Sequence, residues 1–279
     1  MQKLIDLTAP FAEVSSDMLS PKIKYVSHRK AGTWQGLGAI WSASKPKLVR
    51  NAIGYLTGRN RITSKDFPDG IGLASEVIKA HTHSGTHMDA PWHFGQTVSG
   101  TDSKTIDKVP LEWCFGDGVL LDVRPLSSGD MVSLERVQNA LDTAGYKIKP
   151  LDIVLILTGA DEYWGTPKYM EFQPGMAREA VIWLLEQGVK IIGIDAWGFD
   201  KPFSTMMRNY KNTANKNELW PAHLVGRDME YCHIEKLANL HQIPQPTGFK
   251  VACFPINVKK ASAGWVRVVA LLDEEMPNG

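Results

Sequence analysis

Cysteine is scarce in this chain: Cys114, Cys232 and Cys253 are the only three among 279 residues. An odd number at unrelated spacings offers no disulfide framework and no cysteine-rich metal finger, and it suits reduced thiols in a cytoplasm. An excess of charge of one sign is missing as well. Lys and Arg number 31 against 30 Asp and Glu, so no basic field exists to hold nucleic acid or an anionic membrane surface. No stretch approaches the roughly 18 apolar residues of a transmembrane helix, and the opening Met1-Gln2-Lys3-Leu4-Ile5-Asp6 lacks an apolar signal core. There is no Gly-x-Ser-x-Gly elbow for a serine nucleophile. What remains is the expectation of a soluble, cytoplasmic protein whose partner is a small molecule.

Histidine, by contrast, is concentrated in one place. His83-Ser84-Gly85-Thr86-His87-Met88-Asp89-Ala90-Pro91-Trp92-His93-Phe94 brings three imidazoles and a carboxylate into eleven consecutive residues. Imidazole nitrogen with carboxylate oxygen is a ligand set that suits Zn²⁺ or Mn²⁺. Structural zinc sites usually close with cysteines, whereas catalytic sites keep three protein ligands and leave a position for water. His83, His87 and Asp89 supply such a set. Gly85 and Pro91 oppose a continuous helix, and the HExxH glutamate is absent, so a looped segment must aim these groups.

The same residues resemble the signature of the metal-dependent cyclase family, which includes bacterial kynurenine formamidase, isatin hydrolase and trans-dienelactone hydrolase. Ile5-Asp6-Leu7-Thr8, the run 151–159, Gln173-Pro174-Gly175, Ile192-Gly193-Ile194-Asp195 and the pair His223 and Glu235 fit the same resemblance. It implies the swivelling β/β/α fold, class α/β, over a single domain 1–279 with an insertion around 20–72. It also implies a divalent metal, Zn or Mn, with one or two ions per chain. His223 and Glu235 would complete a second metal site beside the bridging Asp89, and His93 would carry protons. The implied activity is cleavage of a C–N bond in a small cyclic or aryl amide, with lactone hydrolysis, non-hydrolytic ring closure and metal binding without turnover as alternatives. A homo-oligomer, dimer or tetramer, is implied too.

Elsewhere the pattern alternates strand and helix. Strands are expected over 4–8, 76–83, 118–123, 151–157, 189–194, 249–258 and 265–272, and helices over 133–144, with Ser133 as N-cap and Gly145 as stop, and over 176–187. On the strand 76–83, His81 shares a face with His83. Residues 20–72 show little periodicity. Glu235 falls in a helix-like run, and His233, two residues earlier, is left out of the ligand set; His28 and His241 read as surface residues. Trp92, Phe94, Trp197 and Phe199 are candidates for a pocket wall or for the core.

Overall fold

The computed structural model describes residues 2–14, 17–41, 45–59 and 61–273, so positions 42–44 and 60 of the expected insertion lie outside the described residues. Nine strands form the main sheet: β1 (Gln2–Asp6), β2 (His87–Asp89), β3 (Phe115–Asp122), β4 (Ile153–Leu157), β5 (Ile191–Ile194), β6 (Cys232–Glu235), β7 (Phe249–Ala252), β8 (Ala263–Trp265) and β9 (Val269–Asp273). Their order is β1-β9-β7-β3-β4-β5-β6-β2-β8. The central four, β3 to β6, run parallel, and the flanking pairings are antiparallel. The fold is mixed α/β.

Parallel strands are covered on both faces, which is why Ile153-Val154-Leu155-Ile156-Leu157 is apolar without interruption and wholly buried. Val154, Ile156, Ile192 and Ile194 point toward the helices Leu134–Ala144 and Arg178–Glu186, against Val137, Leu141, Val181 and Leu184. Ser133 caps the first of these helices by accepting from the Arg136 amide at 3.3 Å, and Gly145 ends it at φ 59°. On the other face, Ile153, Leu155 and Ile191 join one core with Ile5 of β1, Ala270 of β9 and Met88 of β2. A core shared by such distant strands curls the sheet. Past its end, β1 is tied across by a Thr8–Leu237 bridge and by the Ala238 amide donating to Leu7 at 3.0 Å.

Three expected elements differ. The strand expected over 265–272 is two strands, β8 and β9, far apart in the sheet. The strand expected over 76–83 exists only as Ser75–Lys79, pairing with Lys22–Val26, and the chain then turns before β2. At that turn Gly85 has φ 59°, and a Cβ there would meet the Phe11 ring at 2.9 Å, so a strand could not continue through it. His81 is exposed and stands outside the histidine cluster described below. Residues 20–72, unreadable by periodicity, hold two helices, His28–Trp41 and Lys45–Leu56. Gly32, Gly36 and Gly38 hide the first from propensity; Gly36 is there because a Cβ would lie 2.3 Å from the Ile62 carbonyl oxygen.

By its contacts the chain divides into two compact units, Lys22–Lys79 and the remainder, Met1–Pro21 with Ala80–Gly279. The nine-stranded sheet belongs to the second. Among the described residues no helix is long and apolar enough to cross a membrane.

Candidate metal centre

Strand pairing builds the centre. β6 lies antiparallel to β2 with His233 opposite Asp89, Ile234 opposite Met88 and Glu235 opposite His87. Side chains alternate along a strand, so Met88 and Ile234 enter the core while His87, Asp89, His233 and Glu235 share the other face. Three more imidazoles converge on them: His83 from the turn before β2, His93 from the short helical segment Pro91–Phe94 after it, and His223 from the turn His223–Arg227. Five of the chain's eight histidines therefore meet around two carboxylates.

Asp89 is the hub. Its Oδ1 lies 2.8 Å from His83 Nδ1 and 3.3 Å from His87 Nε2, and its Oδ2 lies 2.9 Å from His233 Nε2 and 3.8 Å from His93 Nε2. Glu235 reaches His87 Nε2 at 3.6 Å, His223 Nε2 at 3.5 Å and His233 Nε2 at 3.4 Å, and accepts from the Phe199 amide at 2.9 Å. All five expected ligands, His83, His87, Asp89, His223 and Glu235, are thus brought together with His93.

The far ring nitrogens decide what the near ones can do. His87 Nδ1 donates to the Gly85 carbonyl at 2.8 Å, and His223 Nδ1 donates to Asp200 at 2.6 Å. The Tyr231 hydroxyl gives its one proton to the Ala222 carbonyl at 3.2 Å, so toward His233 Nδ1, 3.3 Å away, it accepts. In all three rings the proton is tied off at Nδ1, and Nε2 faces the carboxylates as a lone pair when the ring is neutral. This is the arrangement by which proteins orient metal-binding histidines. His87 Nε2 is buried and makes no hydrogen bond. A buried polar atom without a partner is costly, and a divalent ion would satisfy this one. The residues fit a metal: Asp89, His223, His233 and Glu235 form one compact donor group, with His87 at its edge, and His83, Asp89 and His93 form a second.

Protonation follows the same charges. Burial opposes the charge on Glu235, but the bond from His233 outweighs it and brings the carboxyl down to about 2. Burial likewise opposes a charged His233, yet Asp89 and Glu235 raise it to about 9. His93 goes the other way. Burial lowers it to about 4 against the pull of Asp89, so the ring is neutral at pH 7.

His233 and Asp200 are the residues that sequence reasoning missed. In a helix-like run, positions 233 and 235 point apart; in the strand β6 they point together, which brings His233 into the cluster beside Glu235. Asp200, accepting from the His223 side chain and from the amides of Ala222 and His223, carries no local signal. A cavity of about 240 Å³ opens on the cluster, walled by Leu19, Trp197, Phe199, Phe203, Met206 and Trp220. Larger hollows of about 530 and 600 Å³ lie elsewhere and reach none of the histidines. Phe94 is core, stacked on Tyr231 at 5.0 Å, and Trp92 is exposed.

Residues 5–201 match the family described as "Putative cyclase". The chain belongs to the cyclase family. A kynurenine formamidase from Erythrobacter litoralis is 31% identical over 201 residues, covering 71% of this chain and 75% of that protein. Cyclase-like protein 3 of Oryza sativa subsp. japonica is 23% identical over 209 residues, 73% of this chain and 67% of the other. Among solved structures, an isatin hydrolase bound to the product analogue thioisatinate superposes with a TM-score of 0.69 at 18% identity, over 98% of this chain and 93% of that one. Isatin hydrolase A from Ralstonia solanacearum superposes equally well, with 19% identity, over 98% and 92%. The cyclase match stops before His223, His233 and Glu235, so it is the strand register that joins this half of the centre to the motif.

Proposed function

We propose that this cyclase-family chain is a metal-dependent hydrolase that cleaves the C–N bond of a small cyclic or aryl amide. One observation carries the reading: imidazoles locked at Nδ1 turn Nε2 toward a shared pair of buried carboxylates, while the neighbouring His93 is not locked. His87, Asp89, His233, Glu235 and His223, together with His83, would hold one or two ions, and a nitrogen and oxygen donor set without sulfur suits Zn²⁺ or Mn²⁺. Such an ion supplies Lewis acidity, polarising a carbonyl and lowering the pKa of a water from 15.7 to about 7. His93, neutral at pH 7, takes a proton from the attacking water and returns it to the departing nitrogen. Its side chain keeps 33% of its surface open to the cavity. Asp200 holds His223 in one tautomer, and Phe199 N–H fixes Glu235.

The flat walls favour an aryl ring. Phe203 and Trp220 stack at 5.4 Å. A cavity of about 240 Å³ suits a compact ring amide better than a ring with an extended amino-acid tail. A panel of isatin-like lactams, cyclic imides, N-formyl anilines and dienelactones, assayed with Zn²⁺ and Mn²⁺, tests this. Compact ring amides are expected to turn over fastest. N-formylkynurenine faster by orders of magnitude would reverse the preference, and silence across the panel with metal bound would overturn the hydrolase.

Self-association belongs to the same proposal. The unit Lys22–Lys79 carries 11 Lys and Arg against 3 Asp and Glu, leaving 20 against 27 for the rest of the chain. On its helix Lys45–Leu56, Val49, Ile53 and Leu56 expose one apolar stripe at i, i+4 and i+7. Basic units meeting acidic bodies of other copies would make a dimer or tetramer that loosens with salt. Light scattering at low and at 0.5 M salt is expected to show the oligomer shrinking; a monomer at every salt concentration would reject it.

A further inference from the structure

Lys236 is a buried cation to which the chemistry above gives no task. It follows Glu235 directly, is 1% exposed, and sits at φ 60°, a left-handed conformation that a residue with a long side chain adopts only when its surroundings impose it. Its Nζ donates to the His83 carbonyl at 2.9 Å and lies 3.4 and 3.5 Å from the carboxylate oxygens of Asp17, itself 4% exposed. Asp17 in turn accepts from the Gly85 amide at 3.3 Å and from the Leu19 amide at 3.0 Å. The pair thus brackets Ser84. The cation holds the carbonyl before it and the anion holds the amide after it.

A buried ion pair is a poor source of stability, because desolvation offsets the attraction and apolar side chains of similar volume commonly do as well. What charge provides here is direction. The bracketed loop controls two imidazoles: it carries His83, whose Nδ1 lies 2.8 Å from Asp89, and it presents the Gly85 carbonyl that fixes the His87 tautomer. Lys236 is joined to the loop a second time, its carbonyl accepting from Thr86 Oγ1 at 2.5 Å. We infer that Asp17 and Lys236 are positioning residues, a charged clamp that sets His83 and His87 for the ion; the inference rests on the metal-centre reading.

The single variants leave an unpaired buried charge and lower Tm for that reason alone, so the test is the double variant Asp17→Leu/Lys236→Met. It is expected to lose less stability than either single variant, yet to bind Zn²⁺ or Mn²⁺ about 10–100-fold more weakly by calorimetry, the usual effect of losing groups that orient ligands. kcat should fall while KM changes little, and the Gly85 amide of the metal-free protein should exchange hydrogen faster. If that variant does not fold, Asp17→Asn/Lys236→Gln replaces it, with the same shifts in smaller measure. Either variant, folded and holding metal with wild-type affinity and Gly85 with wild-type protection, overturns the clamp. A wild-type protein that binds no divalent ion, but whose Gly85 protection is lost in the variant, refutes the metal centre and leaves the loop clamp standing.

Discussion

Asp89→Asn is expected to strip the divalent metal and abolish turnover. The substitution keeps size and shape but replaces one carboxylate oxygen with an NH₂ group, and either oxygen has close nitrogen neighbours: Oδ1 faces His83 and His87, Oδ2 faces His233 and His93. The negative charge that a dication requires is halved at a point 1% exposed to solvent. Breaking a buried charge pair costs about 3–5 kcal/mol, a factor of roughly 10²–10³ or more in affinity. Elemental analysis after gel filtration should find the variant without metal where the wild type holds one to two ions. Full occupancy in Asp89→Asn would remove this residue from the centre.

His93→Ala should behave in the opposite way, keeping the ion and losing the reaction. Its Nε2 is 3.8 Å from Asp89, beyond hydrogen-bonding distance, and the ring faces the cavity with neither nitrogen committed to a protein hydrogen bond that would orient it. Removing a group that moves a proton in the transition state costs on the order of 10²–10⁴ in rate. kcat is expected to fall by that much at unchanged metal content, with KM little affected. Since His83, Asp89 and His93 also lie close enough to share an ion, loss of metal from His93→Ala would instead make His93 a ligand.

What could be read from the sequence was whatever is local. The motif 83–94 announces its own chemistry because its ligands are neighbours in the chain, and Ser133 and Gly145 mark a helix because caps act within one turn. The buried strand 153–157 is legible because both of its faces are apolar. His233 was not, because its role depends on β6 being a strand whose register sets it opposite Asp89, and four residues give too few repeats to separate period 2 from period 3.6. Asp200 joins the candidate centre only through His223, 23 residues away. The helix His28–Trp41 was hidden by its glycines, two of which, Gly32 and Gly36, sit where a Cβ would crowd Ser64 and Ile62.

The donors of β2 and β6 are separated by 144 residues, and β2 is held on its other side by β8, from the last part of the described chain. The motif His83–His93 supplies four of the seven groups of the centre, and the other three come only with residues 223–235. Closing so long a loop costs chain entropy before its contacts repay it, which slows folding. A metal held by both strands would be held firmly only once β2 and β6 have paired, and a chain truncated before residue 263, which lacks β8, is expected to bind it more weakly however intact its motif.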